Sequence, residues 1–301
     1  MTGTVRSIVA GMLASFLLLL LAGCSDAPGE SADGSSPPSP LIYEIASADG
    51  AVEGWMVGTI HALPDGTEWQ TASIRKASVE ADLLVVEIAA LDDPAQTARV
   101  FSALSVTPGL PPLDQRIPPD LHPKLSALMN EGDIDPAGFA ATETWAAAIR
   151  LAQVGAGGDP ANGVDRALIH AFDGRKVREL EGARGQLSIF DRLPENLQRS
   201  MLAAVVREAE NSRKDPARLR RAWLAGDAAT IEASTREGFL ADPALREALL
   251  TGRNRRWVAA LVPLLEQQPR PLVAVGTAHL VGPEGLVNLL EAKGYRIRRL
   301  P

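Results

Sequence analysis

The positions of apolar residues divide the chain into three kinds of segment. The stretch Ile8–Leu21 is almost wholly apolar, Ser25–Pro40 has no apolar anchor, and from Leu41 onward apolar and polar residues alternate with recognisable periods. In that last part Leu41–Ala46 and Gly54–Val57 read as paired strands joined at Asp49-Gly50, a strong turn signal. Ala72–Glu80 has a helical pattern. Leu83–Ile88 (LLVVEI) is a continuous apolar run with one glutamate, as expected of a strand covered on both faces. Helical periodicity returns over Pro94–Ser105, Leu121–Asn130 and Thr142–Val154. The five prolines of residues 106–119 make a loop, and Gly155–Gly163 is a glycine-rich break. Val164–Phe172 reads as a helix, Lys176–Leu180 as a short strand, and Pro194–Glu266 as a run of helices punctuated by Pro216, Gly238 and Pro243. Leu272–Val275 is an apolar strand, Gly285–Lys293 a helix and Arg296–Leu300 a closing strand. The expected fold is α/β, a central sheet formed by N- and C-terminal segments with a large helical insertion.

The apolar run near the start follows a single charge, Arg6, and at about fourteen residues is shorter than the roughly twenty of a membrane span. It has the layout of a secretory signal, and it ends in Leu21-Ala22-Gly23-Cys24. That ending resembles the lipobox of bacterial lipoproteins, which implies cleavage before Cys24 and lipidation of that cysteine. Residues 1–23 then form the lipoprotein signal peptide and residues 24–40 the lipidated cysteine with a flexible tether spanning at most about 50 Å. Residues 41–301 are the folded domain. Ser25 after the cysteine favours the outer membrane, with the domain in the periplasm. The ordinary alternative is a signal peptide with an incidental cysteine.

Composition narrows the chemistry. Of 301 residues, 46% are hydrophobic and 22% charged, enough for one sizeable core. A net charge of −7, or −8 without Arg6, gives no concentrated basic surface for nucleic acid. Cys24 is the only cysteine, which excludes an intramolecular disulfide and a cysteine-based metal cluster. There is no Gly-x-Ser-x-Gly, no Gly-x-x-x-x-Gly-Lys and no dinucleotide fingerprint between a strand and a helix, which argues against a serine hydrolase or a nucleotide enzyme.

What stands out is a short repeat. Val57-Gly58-Thr59-Ile60-His61 and Val275-Gly276-Thr277-Ala278-His279 share one frame, each after an expected strand and each followed by Pro-x-Gly. The chain has four histidines, and two of them occupy this frame; His122 and His170 read as ordinary helix residues. Ligand sites of open α/β sheets lie at the carboxyl ends of strands, where both frames fall. Glu87 is the third candidate, because a carboxylate closing an apolar strand needs a partner or a metal. Should the strands lie side by side, His61, Glu87 and His279 converge as two imidazoles and one carboxylate able to bind a divalent ion. The bland alternative makes the frames simple strand-exit turns and pairs Glu87 with an arginine. Asp165 in GVD reads as a helix flank outside the site, and Trp145, Trp223 and Trp257 as core residues.

The GTIH segment, the VVE strand and VAVGTAHLVGPEGLVNLLEAKGY together resemble the TraB/PrgY/GumN family, whose relatives include Tiki-type metal-dependent proteases. GVDRALIHAF, VRELEGARGQLSIFDRLP, AWLAGD and RNRRW extend the resemblance over about Leu41 to Leu300. It implies a periplasmic or extracellular α/β domain whose active site comprises Gly58, His61, Glu87, Glu181, Arg253, Asn254, Gly276 and His279. The expectation is a divalent-metal-dependent hydrolase, peptidase-like, with manganese, cobalt or zinc held by His61, Glu87 and His279. Glu181 is then a general base or further ligand, with helix capping as its structural alternative. Arg253 and Asn254 are expected to steady an oxyanion or a substrate carboxylate. The expected partners are a peptide or other small envelope substrate and, through the lipid, the membrane. The rival expectation is a non-catalytic module that binds a peptide, a metal or haem.

Overall fold

The computed structural model describes residues 37–267 and 269–301. The expected signal peptide, Cys24 and nearly all of the tether lie outside these residues. Among the described residues no helix is long and apolar enough to cross a membrane.

Among the described residues six strands form one mixed sheet: β1 (Ile42–Ala46), β2 (Val52–Thr59), β3 (Leu83–Val86), β4 (Lys176–Glu179), β5 (Pro271–Gly276) and β6 (Arg296–Arg299). Their order is β4-β3-β5-β2-β1-β6. The four strands β4, β3, β5 and β2 are mutually parallel, while β1 runs antiparallel to both β2 and β6. Each inner strand sends alternate side chains to opposite faces, the period-2 geometry of the pleat. Trp55, Val57, Leu84, Val86, Leu272 and Ala274 enter one core, and Met56, Leu83, Val85, Val273 and Val275 enter the other. Both faces are covered by helices, which explains the continuous apolar runs of β3 and β5.

Among the described residues twelve α-helices follow in chain order: α1 (Ala72–Glu80), α2 (Pro94–Leu104), α3 (His122–Glu131), α4 (Thr144–Ala152), α5 (Val164–Ala171), α6 (Gly182–Asp191), α7 (Glu195–Lys214), α8 (Arg218–Ala225), α9 (Ala228–Ser234), α10 (Pro243–Arg246), α11 (Gly252–Leu265) and α12 (Leu286–Glu291). Helices α1 and α5 cover one face of the sheet, α9, α11 and α12 the other. A third core, with Trp145 between Phe101 and Phe190, belongs to the insertion built from α2, α3, α4, α6 and α7.

The α/β architecture with a helical insertion is therefore present, with three refinements. Strands β3 and β4 come from the middle of the chain, so the terminal segments supply four strands of the six. Strand β3 stops at Val86, and Glu87 lies just beyond it. Helix α6 is absent from the periodicity reading because Gly182 and Gly185 interrupt its start; its buried Ala183, Leu187 and Phe190 gain their stability from the insertion core rather than from propensity.

Candidate functional site

The carboxyl ends of β2, β5, β3 and β4 lie next to one another. Beyond β2 the chain passes to α1 on one face, and beyond β5 it passes to α12 on the other. Adjacent parallel strands whose exits diverge in this way leave a crevice between them. His61 and His279 flank it.

The repeat that marks these positions has a packing reason. A Cβ on Gly58 would stand 2.6 Å from Thr277 Oγ1, so the glycine of the first frame makes room for the threonine of the second. The Thr277 hydroxyl donates to Thr59 O at 2.9 Å, which ties the two strand exits together. Thr59 in turn donates its hydroxyl to Asp165 Oδ1 at 2.7 Å. The frame thus sets the spacing of two loops as well as supplying two histidines.

His61 Nδ1 is hydrogen-bonded to Asp165 Oδ2. Asp165 arrives on the first turn of α5, where a negative charge is favoured by the helix dipole. The glycine-rich segment delivers it there: Asp159 and Leu63 form an antiparallel bridge, and Val164 N–H donates to Ile60 O at 2.8 Å. Gly163 is essential to this approach, since a Cβ there would collide with the His61 carbonyl oxygen. Both partners are buried. For His61, burial pushes the pKa down, but the Asp165 carboxylate, with a smaller contribution from Glu87, outweighs it and leaves the pKa raised. For Asp165, burial pushes upward and the His61 and Thr59 contacts more than reverse it, leaving the carboxyl below its usual range.

On the other side of the crevice stands Arg253, 1% exposed. Its Nε donates to both Glu181 oxygens at 3.0 and 3.1 Å, and its Nη2 to Glu87 Oε2 at 2.6 Å and Glu181 Oε2 at 2.7 Å. Its Nη1 reaches Leu249 O at 3.2 Å and His279 Nε2 at 3.3 Å. A guanidinium has five N–H groups, and these acceptors account for all of them. Glu87 is equally engaged: Oε1 accepts from Gly276 N–H at 2.9 Å, and Oε2 also accepts from Gln186 Nε2 at 2.9 Å. Glu181 occupies the position preceding α6 without capping it; its carboxylate faces Arg253 and accepts from Trp257 Nε1 at 3.1 Å.

His279 is fully buried, with the Trp257 ring 4.3 Å away between centroids. Its Nδ1 is hydrogen-bonded to Asn254 Oδ1, while Asn254 Nδ2 donates to Glu284 O at 2.7 Å. Burial, then the positive charges of Arg253 and His61, hold the His279 pKa well below the usual histidine range, so the ring is neutral. Its proton therefore sits on Nδ1, toward Asn254, and Nε2 is the acceptor facing Arg253.

All six residues expected to bind metal or act in catalysis meet at this crevice, but their partners change the roles open to them. Arg253 has no N–H left for an oxyanion, and Asn254 orients His279. The three expected ligands do not fit a divalent ion as arranged: Glu87 spends its oxygens on Gly276, Gln186 and Arg253, and a guanidinium cation stands beside His279 Nε2. Among the described residues no group of three or more histidine, cysteine or acidic side chains is disposed to hold a metal.

Asp165 does flank the start of α5, but through its contact with His61 it also belongs to the crevice, contrary to its placement outside the site. A signal was present: Asp165 lies three and four positions before Leu168 and Ile169, on the apolar stripe of α5, where an unpaired carboxylate is costly. Trp257 is a core residue that also serves the site, and it stands four positions after Arg253, on the same helix face. Gln186 had no sequence signal. Trp145 and Trp223 are core residues as expected, the latter donating Nε1 to Gly58 O at 2.9 Å.

Two outcomes follow from this geometry. Gly163→Ala is expected to lower stability by about 1–3 kcal/mol in urea unfolding, because backbone must move to admit the methyl group. Asp165→Asn is expected to cost about 3–5 kcal/mol by leaving the buried His61 imidazolium without its counter-charge. The raised His61 pKa contributes stability below the usual histidine range and loses it as pH rises through the folded value. The lowered Asp165 pKa contributes above the usual aspartate range and loses it as pH falls. The stability gap between native protein and Asp165→Asn should therefore be widest near about pH 5 and narrow toward both extremes, as urea titrations across pH would measure.

No curated protein and no solved structure matches the chain. The sequence profile of the TraB/PrgY/gumN family matches residues 41–299, which include every strand of the sheet and every residue of the crevice. The chain belongs to the TraB/PrgY/gumN family.

Proposed function

We propose that this chain is a lipid-anchored envelope hydrolase that cleaves an amide or ester bond, peptide-like in character, with His61 as its general base. The observation that carries this reading is the buried His61–Asp165 pair at the carboxyl edge of the parallel strands. A carboxylate that fixes an imidazole through Nδ1 sets its tautomer, aims Nε2 at the reacting group and stabilises the imidazolium once a proton is taken. His61 Nε2 takes a proton from water, the hydroxide adds to the carbonyl carbon, and the proton passes to the leaving nitrogen or oxygen. Accessibility separates the two histidines: His61 is 7% exposed, whereas His279 is 0% exposed. His61 is thus the ring with surface to offer, and His279 is a positioning residue within the Arg253 cluster.

The metal-dependent form of this reading is favoured by one observation. Both histidines bind an oxygen partner through Nδ1, the arrangement that presents Nε2 to a metal in many metalloproteins. It requires Arg253 to part from both Glu87 and His279 Nε2. The lipobox at Cys24 supports a place in the envelope, with the outer membrane favoured.

The test is turnover of a peptide and ester panel by the mature protein, with and without a chelator, compared with His61→Ala. The base reading expects chelator-resistant turnover that falls by about 10²–10⁴-fold in the variant. Chelator-sensitive turnover restored by manganese, cobalt or zinc would instead establish the metal-dependent form. Peptide or haem binding without any turnover would overturn the hydrolase reading in favour of a binding module.

A further inference from the structure

A shallow polar recess, open to solvent on one side, lies immediately beside the crevice. Its walls come from the end of α9, from α10 with the turn that follows it, and from the loop after His279; Arg236, Arg246, Thr251, Asn254 and Glu284 are among its lining residues. Asn254 is shared: it lines the cavity and its Oδ1 is hydrogen-bonded to His279. The cavity therefore stands one side chain away from the candidate centre.

Its charges are unequal in availability. Arg236, in the turn after α9, is paired with Glu232 of that helix at 3.1 Å. Arg246 is half-buried and donates to a backbone carbonyl, Leu240 O, at 3.3 Å, and it has no carboxylate partner among the described residues. Glu284 engages Asn254 through its backbone oxygen, and its residue is exposed. A half-buried guanidinium without a counter-ion beside a polar cavity is disposed to take a planar anion in two parallel hydrogen bonds.

An irregular stretch of backbone shapes that wall. Between α10 and α11, residues Glu247–Thr251 form a π turn, a rare one-residue widening that recurs at functional sites. It carries Leu250 and Thr251 into the cavity lining, directs the Leu249 carbonyl to Arg253, and immediately precedes the helix bearing Arg253 and Asn254. One irregular turn thus shapes both the cavity and the crevice.

We propose that this cavity is a recognition pocket for a carboxylate of the substrate, with Arg246 as its anchoring cation. The inference deepens the hydrolase reading by naming a substrate class, molecules that carry a free carboxylate close to the bond cleaved, as the C-terminal end of a peptide does. Binding here does not depend on His61, so it is measurable whether or not that reading holds.

The experiment is an NMR titration of the mature protein with N-acetylglycine and with the neutral N-acetylglycinamide. The acid is expected to bind at least fivefold more tightly than the amide in the native protein, with shifts on the Thr251 and Asn254 amides. Arg246→Gln should erase that preference, Arg246→Lys should retain part of it, and the surface change Arg75→Gln on α1, which covers the opposite face of the sheet, should leave it intact. His61→Ala should also bind the acid normally, which separates loss of the pocket from loss of turnover. Equal binding of acid and amide by the native protein, or an undiminished preference in folded Arg246→Gln, would overturn the proposal.

Discussion

A guanidinium that is almost wholly withdrawn from water needs an acceptor for each of its five N–H groups, and Arg253 finds them on four separate parts of the chain. Glu87 follows β3, Glu181 follows β4, Leu249 belongs to the π turn, and His279 follows β5. The single cation draws the ends of three parallel strands onto one helix and sets the far side of the crevice. A buried ion pair of this kind is weak evidence for stability, since its desolvation opposes its Coulombic gain. Its clearer contribution is geometric: two carboxylates that would repel one another are held a fixed distance from a neutral imidazole.

The near side is organised by the opposite charge. Asp165 is a carboxylate brought to an imidazole by a glycine-rich approach, and it keeps His61 a stronger base than free histidine despite burial. The two histidines of one repeated frame thus end in opposite electrostatic states. His61 faces an anion and is readily protonated; His279 faces a cation and is held neutral. Environments that push like groups apart are how a site divides acid–base labour among identical side chains. The frame V-G-T-x-H is symmetrical in sequence, but the partners that Asp165 and Arg253 supply are not.

Much of this was legible in the residues themselves. Alternation and apolar runs located the strands and most helices, because side-chain direction repeats every two residues in a strand and every 3.6 in a helix. The glycine and histidine of each frame marked strand exits, since a glycine there admits a close neighbour and Thr277 proved to be that neighbour. The family resemblance spanned the same residues that the family profile matches. Glu87 was suspect because a carboxylate at the end of an apolar strand demands a partner. Helix α6 was not legible, because its glycines argue against it and only the insertion core overrules them.

Sequence by itself placed His61, Glu87 and His279 at the carboxyl edge of the sheet, because strand period and strand-exit glycines are local properties. It did not determine what each of them touches. Whether Glu87 meets a metal or an arginine, whether Glu181 caps a helix or clamps Arg253, and whether Asp165 flanks a helix or orients His61 all depend on contacts between residues 72 to 189 positions apart. Those contacts exist only once β3, β5 and β2 lie side by side and the insertion has folded back. The tertiary structure therefore decided the contacts, because the charge state of a buried group is set by its neighbours in space.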